Sequence, residues 1–145
     1  MHKAQAILNA IKSSVTPLVT GGVIELVLSN TAELPEQHPA IIIRMGEDDV
    51  VSRNMSNARD HDLNVYVDIY VHSKNTDLDE QVLAIREEAE KAILADEQLG
   101  LPFVLYIEFN GASNPEYSGD AELYSASVRL NFTVKYRVNK NNPSL

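Results

Sequence analysis

A chain of 145 residues with 44% hydrophobic and 23% charged residues has the make-up of one folded domain, large enough for a single core and too short for two of ordinary size. The formal net charge of −9 argues against a broad phosphate-binding surface, which needs clustered Lys and Arg, and the absence of cysteine excludes disulfides, cysteine zinc sites and a cysteine nucleophile. The N-terminal run is broken by polar residues and reads neither as a signal peptide nor as a membrane span, so the expectation is a soluble protein made in the cytoplasm, with no membrane partner.

From His2 to Val15 the apolar residues Ala4, Ile7, Leu8, Ile11 and Val15 fall on one helical stripe, and Pro17 is expected to end that helix. Gly21-Gly22 predicts a turn, Val23 to Ser29 a strand, and Asn30 to His38 a break. Ala40 to Met45, entered through Pro39, predicts a second strand, since the first residue of a strand need not donate to the ladder. The stretch from Gly46 to His61 shows no sustained period and is expected to be the least regular part of the chain.

Asp62 to His72 then alternates without interruption. Leu63, Val65, Val67, Ile69 and Val71 share one face; Asn64, Tyr66, Asp68, Tyr70 and His72 share the other. A slip of one residue would bury Asp68 and expose Val67, so the register is well specified. Ser73 to Thr76 predicts a turn, and Asp77 with Glu80 resembles a capping box before a helix from Leu78 to about Ala95. That helix carries Leu78, Val82, Ile85, Ala89 and Ile93 inward and a Glu87–Lys91 pair outward, and Gly100 and Pro102 close it. Phe103 to Asn110 predicts a strand, and Gly111 to Gly119 a loop. Leu123 to Val138 predicts a long strand with Val128, Leu130, Phe132 and Val134 on its apolar face.

The expected fold class is α+β: a mostly antiparallel sheet with two helices packed on one face, residues 1–138 forming a single domain and 139–145 a flexible C-terminal tail. The predicted core is Leu63, Val67, Ile69, Val82, Ile85, Leu130, Phe132 and Val134.

Catalytic chemistry finds little support. His2, His38, His61 and His72 lack metal-ligand spacing, and His61 between Asp60 and Asp62 reads as a solvated loop terminus, because neighbours on a strand face opposite ways. Glu47-Asp48-Asp49 lacks the alternating pattern that wraps oxygens around calcium, and no glycine-rich phosphate loop is present. No catalytic residue, cofactor or metal site is therefore assigned, and no enzyme activity is expected. The interface candidates are Asp48, Asp49, Arg53 and Arg59 in the aperiodic stretch, suited to charge-complementary docking, and Tyr66 and Tyr70 on the polar sheet face, suited to a subunit contact.

The succession Pro39-Ala-Ile-Ile-Ile, an acidic irregular stretch, the alternating strand Leu63 to Val71, a helix opening at Leu78-Asp79, the Gly-x-Pro turn at Gly100 and the closing Leu130-Asn-Phe-Thr-Val-Lys-Tyr resembles the tail terminator proteins of long-tailed bacteriophages, the family typified by the lambda minor tail protein U. The resemblance implies a phage or prophage virion protein that assembles as a hexameric ring on the tail tube, stops tube growth and presents the head-joining surface. Its implied partners are other copies of itself, the tail tube protein and a head–tail connector protein. DNA passes through such a ring without stable binding. The implied location is the virion tail, after assembly in the host cytoplasm. Two alternatives differ from this: another tail-completion or head–tail joining protein, and a small acidic enzyme or ligand-binding domain whose site carries no recognisable motif.

Overall fold

In the computed structural model, residues 1–29, 39–53, 57–73, 77–119 and 124–144 are described. The order is α1 (Lys3–Thr20), β1 (Leu26–Ser29), β2 (Ala40–Arg53), β3 (Ala58–Ser73), α2 (Leu78–Leu94), β4 (Val104–Ala112), β5 (Glu116–Gly119) and β6 (Tyr124–Asn139). The strands form one sheet in the order β1-β2-β3-β6-β4, with β5 pairing β6 beyond the end of β4. Only β1 and β2 run parallel; every other pair is antiparallel. The fold is the α+β class that the pattern of elements predicts.

β3 and β6 are the spine. They pair without a register shift from Ala58 opposite Asn139 to Ser73 opposite Tyr124, so the two alternating sequences present matched faces. On one face Leu63, Val65, Val67, Ile69 and Val71 meet Val128, Leu130, Phe132, Val134 and Tyr136, all buried. Both helices cover that face, and their buried stripes join the same core: Ile7, Ile11 and Val15 from α1, and Val82, Ile85, Ala89 and Ile93 from α2. All eight predicted core residues lie in it. Ala40 and Ile42 point the other way and are buried too, so the start of β2 is enclosed on both faces.

Four expectations are corrected. α1 does not stop before Pro17 but runs through it to Thr20. In the last turn a proline forfeits a single backbone donation, and Gly21 N–H still reaches Pro17 O at 2.9 Å. Gly46 to His61 is not aperiodic loop: β2 continues to Arg53 and β3 begins at Ala58, making one long hairpin. Register shifts between Met45 and Asp48 and between Val50 and Ser52 break the alternation of β2 and hide it from a period-two reading. Within the predicted loop from Gly111 to Gly119, Glu116–Gly119 forms β5 against Tyr124 to Ser127. Asp77 holds the N-cap position of α2, yet its side chain makes no capping hydrogen bond.

The strand predicted from Val23 is shorter, starting at Leu26, and β4 begins at Val104 and reaches Ala112. Glu87 and Lys91 do pair, at 3.1 Å. Beyond β6, Asn142 N–H donates to Asn139 O, and Pro143 O accepts from Lys3 N at 3.2 Å. Ser73, expected to open a turn, is the last residue of β3; the rest of that turn, residues 74–76, the break expected over Asn30 to His38, and Leu123 lie outside the described residues.

Candidate functional site

The sheet face away from the helices carries a ladder of opposite charges. Its acids stand on β3 and its bases on β6, each directly across from its partner: Asp60 opposite Arg137, Asp62 opposite Lys135 and Asp68 opposite Arg129. Arg137 grips Asp60 with two bonds, at 2.7 and 3.1 Å. Arg129 does the same to Asp68, at 2.8 and 3.0 Å. Two parallel N–H donors suit the two oxygens of a carboxylate, so each rung is fixed in orientation as well as in distance. The Lys135–Asp62 rung is looser, at 3.9 Å. Between them Thr133 Oγ1 donates to Asn64 Oδ1 at 3.1 Å.

Asp68 is the most committed carboxylate. Its side chain is 6% exposed and also accepts from Arg44 Nε of β2 at 2.8 Å. Arg44 Nη2 further donates to the Tyr70 hydroxyl at 3.3 Å. The Arg129 guanidinium stands 4.5 Å from the centre of the Tyr66 ring, within cation–π range. Three strands are thus tied by polar groups on the face that has no helix. The bidentate Arg137 holds the Asp60 carboxyl below its usual range, and pairing with Asp68 pushes the Arg129 guanidinium up.

A second cluster sits on the helix side of the β2–β3 hairpin. The first register shift turns Asp48 to this face, where it accepts from the Tyr136 hydroxyl at 2.6 Å and meets His61 Nδ1 at 3.0 Å. Arg59 Nε donates to His61 Nε2 at 2.8 Å, so the ring proton lies on Nδ1 and is given to Asp48. Arg59 Nη1 also reaches Lys140 O at 3.2 Å. Burial, and then donation to Asp48, raise the Tyr136 hydroxyl far above the ordinary tyrosine range. The His61 and Tyr136 rings lie 5.1 Å apart.

His61 is therefore not a solvated loop terminus. It is 7% exposed and continues the inward series of Leu63 and Val65. That phase was available in the sequence, two residues before Leu63, and it is the signal that would have found the cluster. His61 and Asp48 pair at 3.0 Å, and neither lines the cleft of about 340 Å³ that opens on the opposite face beside Asp68, Tyr70, Glu116 and Arg129.

The six interface candidates do not form one site. Asp48 and Arg59 are drawn into the hairpin cluster; Tyr66 and Tyr70 belong to the Asp68 network. Asp49 and Arg53 are exposed on β2, with Arg53 opposite Arg59 at the hairpin end. Among the described residues no group of three or more His, Asp or Glu is arranged to hold a metal, and no helix is long and apolar enough to cross a membrane.

No protein-family model matches the sequence, and no curated protein is similar to it in sequence. Among solved structures, a chain in a structure described as the virion of a native gene transfer agent particle superposes with a TM-score of 0.57. The two are 10% identical, and the match covers 91% of this chain and 92% of that one. At this identity the likeness is one of fold.

Proposed function

We propose that the protein is a structural subunit of a phage-like virion, a tail terminator that forms a ring on the tail tube, ends its growth and offers the head-joining surface. The observation that carries this reading is the full-length likeness of fold to a chain of the gene transfer agent particle. The side chains agree in kind. Asp60 and Asp68, the most buried acids of the polar face, are neutralised by arginines rather than left open to a substrate. Such a face supports a rigid subunit, and the overall acidity of the chain suits a channel that DNA traverses without adhering, because a basic lumen would hold phosphates by counterion release.

In this reading the partners are further copies, six in a closed ring, together with the tube protein and a connector; the chain needs no cofactor and performs no catalysis. Residues 1–138 act as a single domain in this reading, with 139–145 as its C-terminal tail. Adding the purified subunit to tube protein during polymerisation tests it: tube lengths should stop increasing, with a cap of extra density at one end in electron micrographs. Tubes that lengthen at an unchanged rate and stay uncapped contradict it.

A further inference from the structure

Among the described residues, the two edges of the sheet offer strand with no outer neighbour at the same height. Among the described residues β1 pairs with β2 as far as Ile43, and the outer edge of β2 over residues 45–53 meets no strand. On the far side β4, a strand of 9 residues, is outermost. The rows across the sheet are continuous: Asp48 stands beside Leu63, then Val134, then Ile107, while Asp49 stands beside Asp62, then Lys135, then Tyr106. Residues 45–53 of β2 and the whole of β4 therefore occupy the same level. Three antiparallel steps separate them, so β2 and β4 run in opposite directions.

These relations have a consequence for assembly. If a second copy in the same orientation is placed beside the first, its β2 meets β4 antiparallel, and matched heights mean that each copy is reached by rotation with little rise. Rotation without rise closes a ring, whereas a rise would generate an open helix. The irregularities fit the same geometry. β2 shifts register between Met45 and Asp48 and between Val50 and Ser52; β4 does so between Phe109 and Gly111 and between Val104 and Tyr106, at nearly the same rows. Bulges bend and twist a strand, and sheets that must curve toward closure place them at defined positions. Neither edge segment holds Lys or Pro, although the β2 edge exposes Glu47, Asp48, Asp49 and Arg53. Apolar side chains are exposed beside these charges: Met45 at 56%, Val51 at 45%, Val50 at 41% and Tyr106 at 37%.

We propose that the β2 edge of one copy pairs with the β4 edge of the next, so that the sheets of successive copies run on into one another around the ring. The proposal rests on the ring reading above and names the surfaces that build it. The absence of cysteine makes the test clean. Asp49→Cys combined with Tyr106→Cys places thiols in one row on the two edges; Val50→Cys with Leu105→Cys is a second pair, should the first perturb folding. Mild oxidation of either double variant should produce a covalent ladder ending at one closed species, and each single variant should produce none. A ring seen by scattering and microscopy in which neither folded pair cross-links overturns the edge pairing and leaves the ring reading standing. Cross-links formed only to added tube protein overturn it as well. A protein that stays monomeric at every concentration, with or without tubes, overturns both.

Discussion

Gly46 lies under the ring of Tyr66, so close that a Cβ added at residue 46 would stand 2.7 Å from Cε2 and 2.9 Å from Cζ. The glycine sits at the first register shift of β2, and the tyrosine covers the gap its missing side chain leaves. Because the same ring carries the Arg129 guanidinium, displacing it also disturbs the Asp68 network.

Gly46→Ala should therefore destabilise the protein by about 1–3 kcal/mol, the usual range for forced overpacking. The effect should be strongly non-additive with Tyr66→Ala, since removing the ring removes the clash. Urea denaturation of the two single variants and the double variant measures the coupling directly.

Asp68→Ala leaves Arg44 and Arg129 facing each other across β3 with no carboxylate between them. The expected loss is about 2–4 kcal/mol, below the figure for a fully buried pair because the Arg129 side chain is 44% exposed. Arg129→Met should cost less, since Arg44 still neutralises Asp68. The order of the two thermal midpoints checks the assignment.

The Asp60–Arg137 rung makes stability depend on acid. Asp60 is depressed when folded, chiefly by hydrogen bonding to Arg137, so its contribution is complete above the unfolded value of about 3.9 and disappears as pH falls through the lower folded value. Asp60→Asn should lower the midpoint at neutral pH and flatten the fall below pH 4. Melting curves between pH 2 and 7 give both slopes; parallel acid limbs in the two proteins would show that another group is responsible.

Arg53 and Arg59 should separate. Arg59→Glu breaks bonds to His61 and Lys140 O and places a carboxylate near Asp48, so the thermal midpoint should drop by several degrees; Arg53→Glu should hardly move it. Amide exchange at Val50 and Arg53 should be slowed by the hairpin ladder even in free subunits. Equal midpoints for the two variants would place Arg59 outside the cluster.

Much of the fold was legible because β3 and β6 pair without a shift, so the alternation of Leu63 to Val71 and of Val128 to Val138 survives intact in three dimensions. The helices were legible from their buried stripes for the same reason. The β2–β3 hairpin was not, since two register shifts change which side of β2 faces inward, and Glu47-Asp48-Asp49 has low strand propensity. β5 hid behind Asn114-Pro115, which reads as a loop but only separates two strands lying along one side of β6. Among the site residues, Tyr66 and Tyr70 were correctly placed on the polar face, but pattern alone could not show that Arg129 and Arg44 engage them. Asp48 was read as a docking charge, whereas its partners, Tyr136 and His61, lie 88 and 13 residues away in sequence. Contacts at such separation leave no local signal.

The central claim is that this subunit builds a ring at the end of a tail tube, and the mass of the particle in solution tests it most directly. Sedimentation velocity with light scattering, across a wide concentration range and with purified tubes added, should show subunits giving way to one closed oligomer of fixed stoichiometry, unaffected by small molecules. A strict monomer at the highest concentration, both alone and with tubes, would contradict the account.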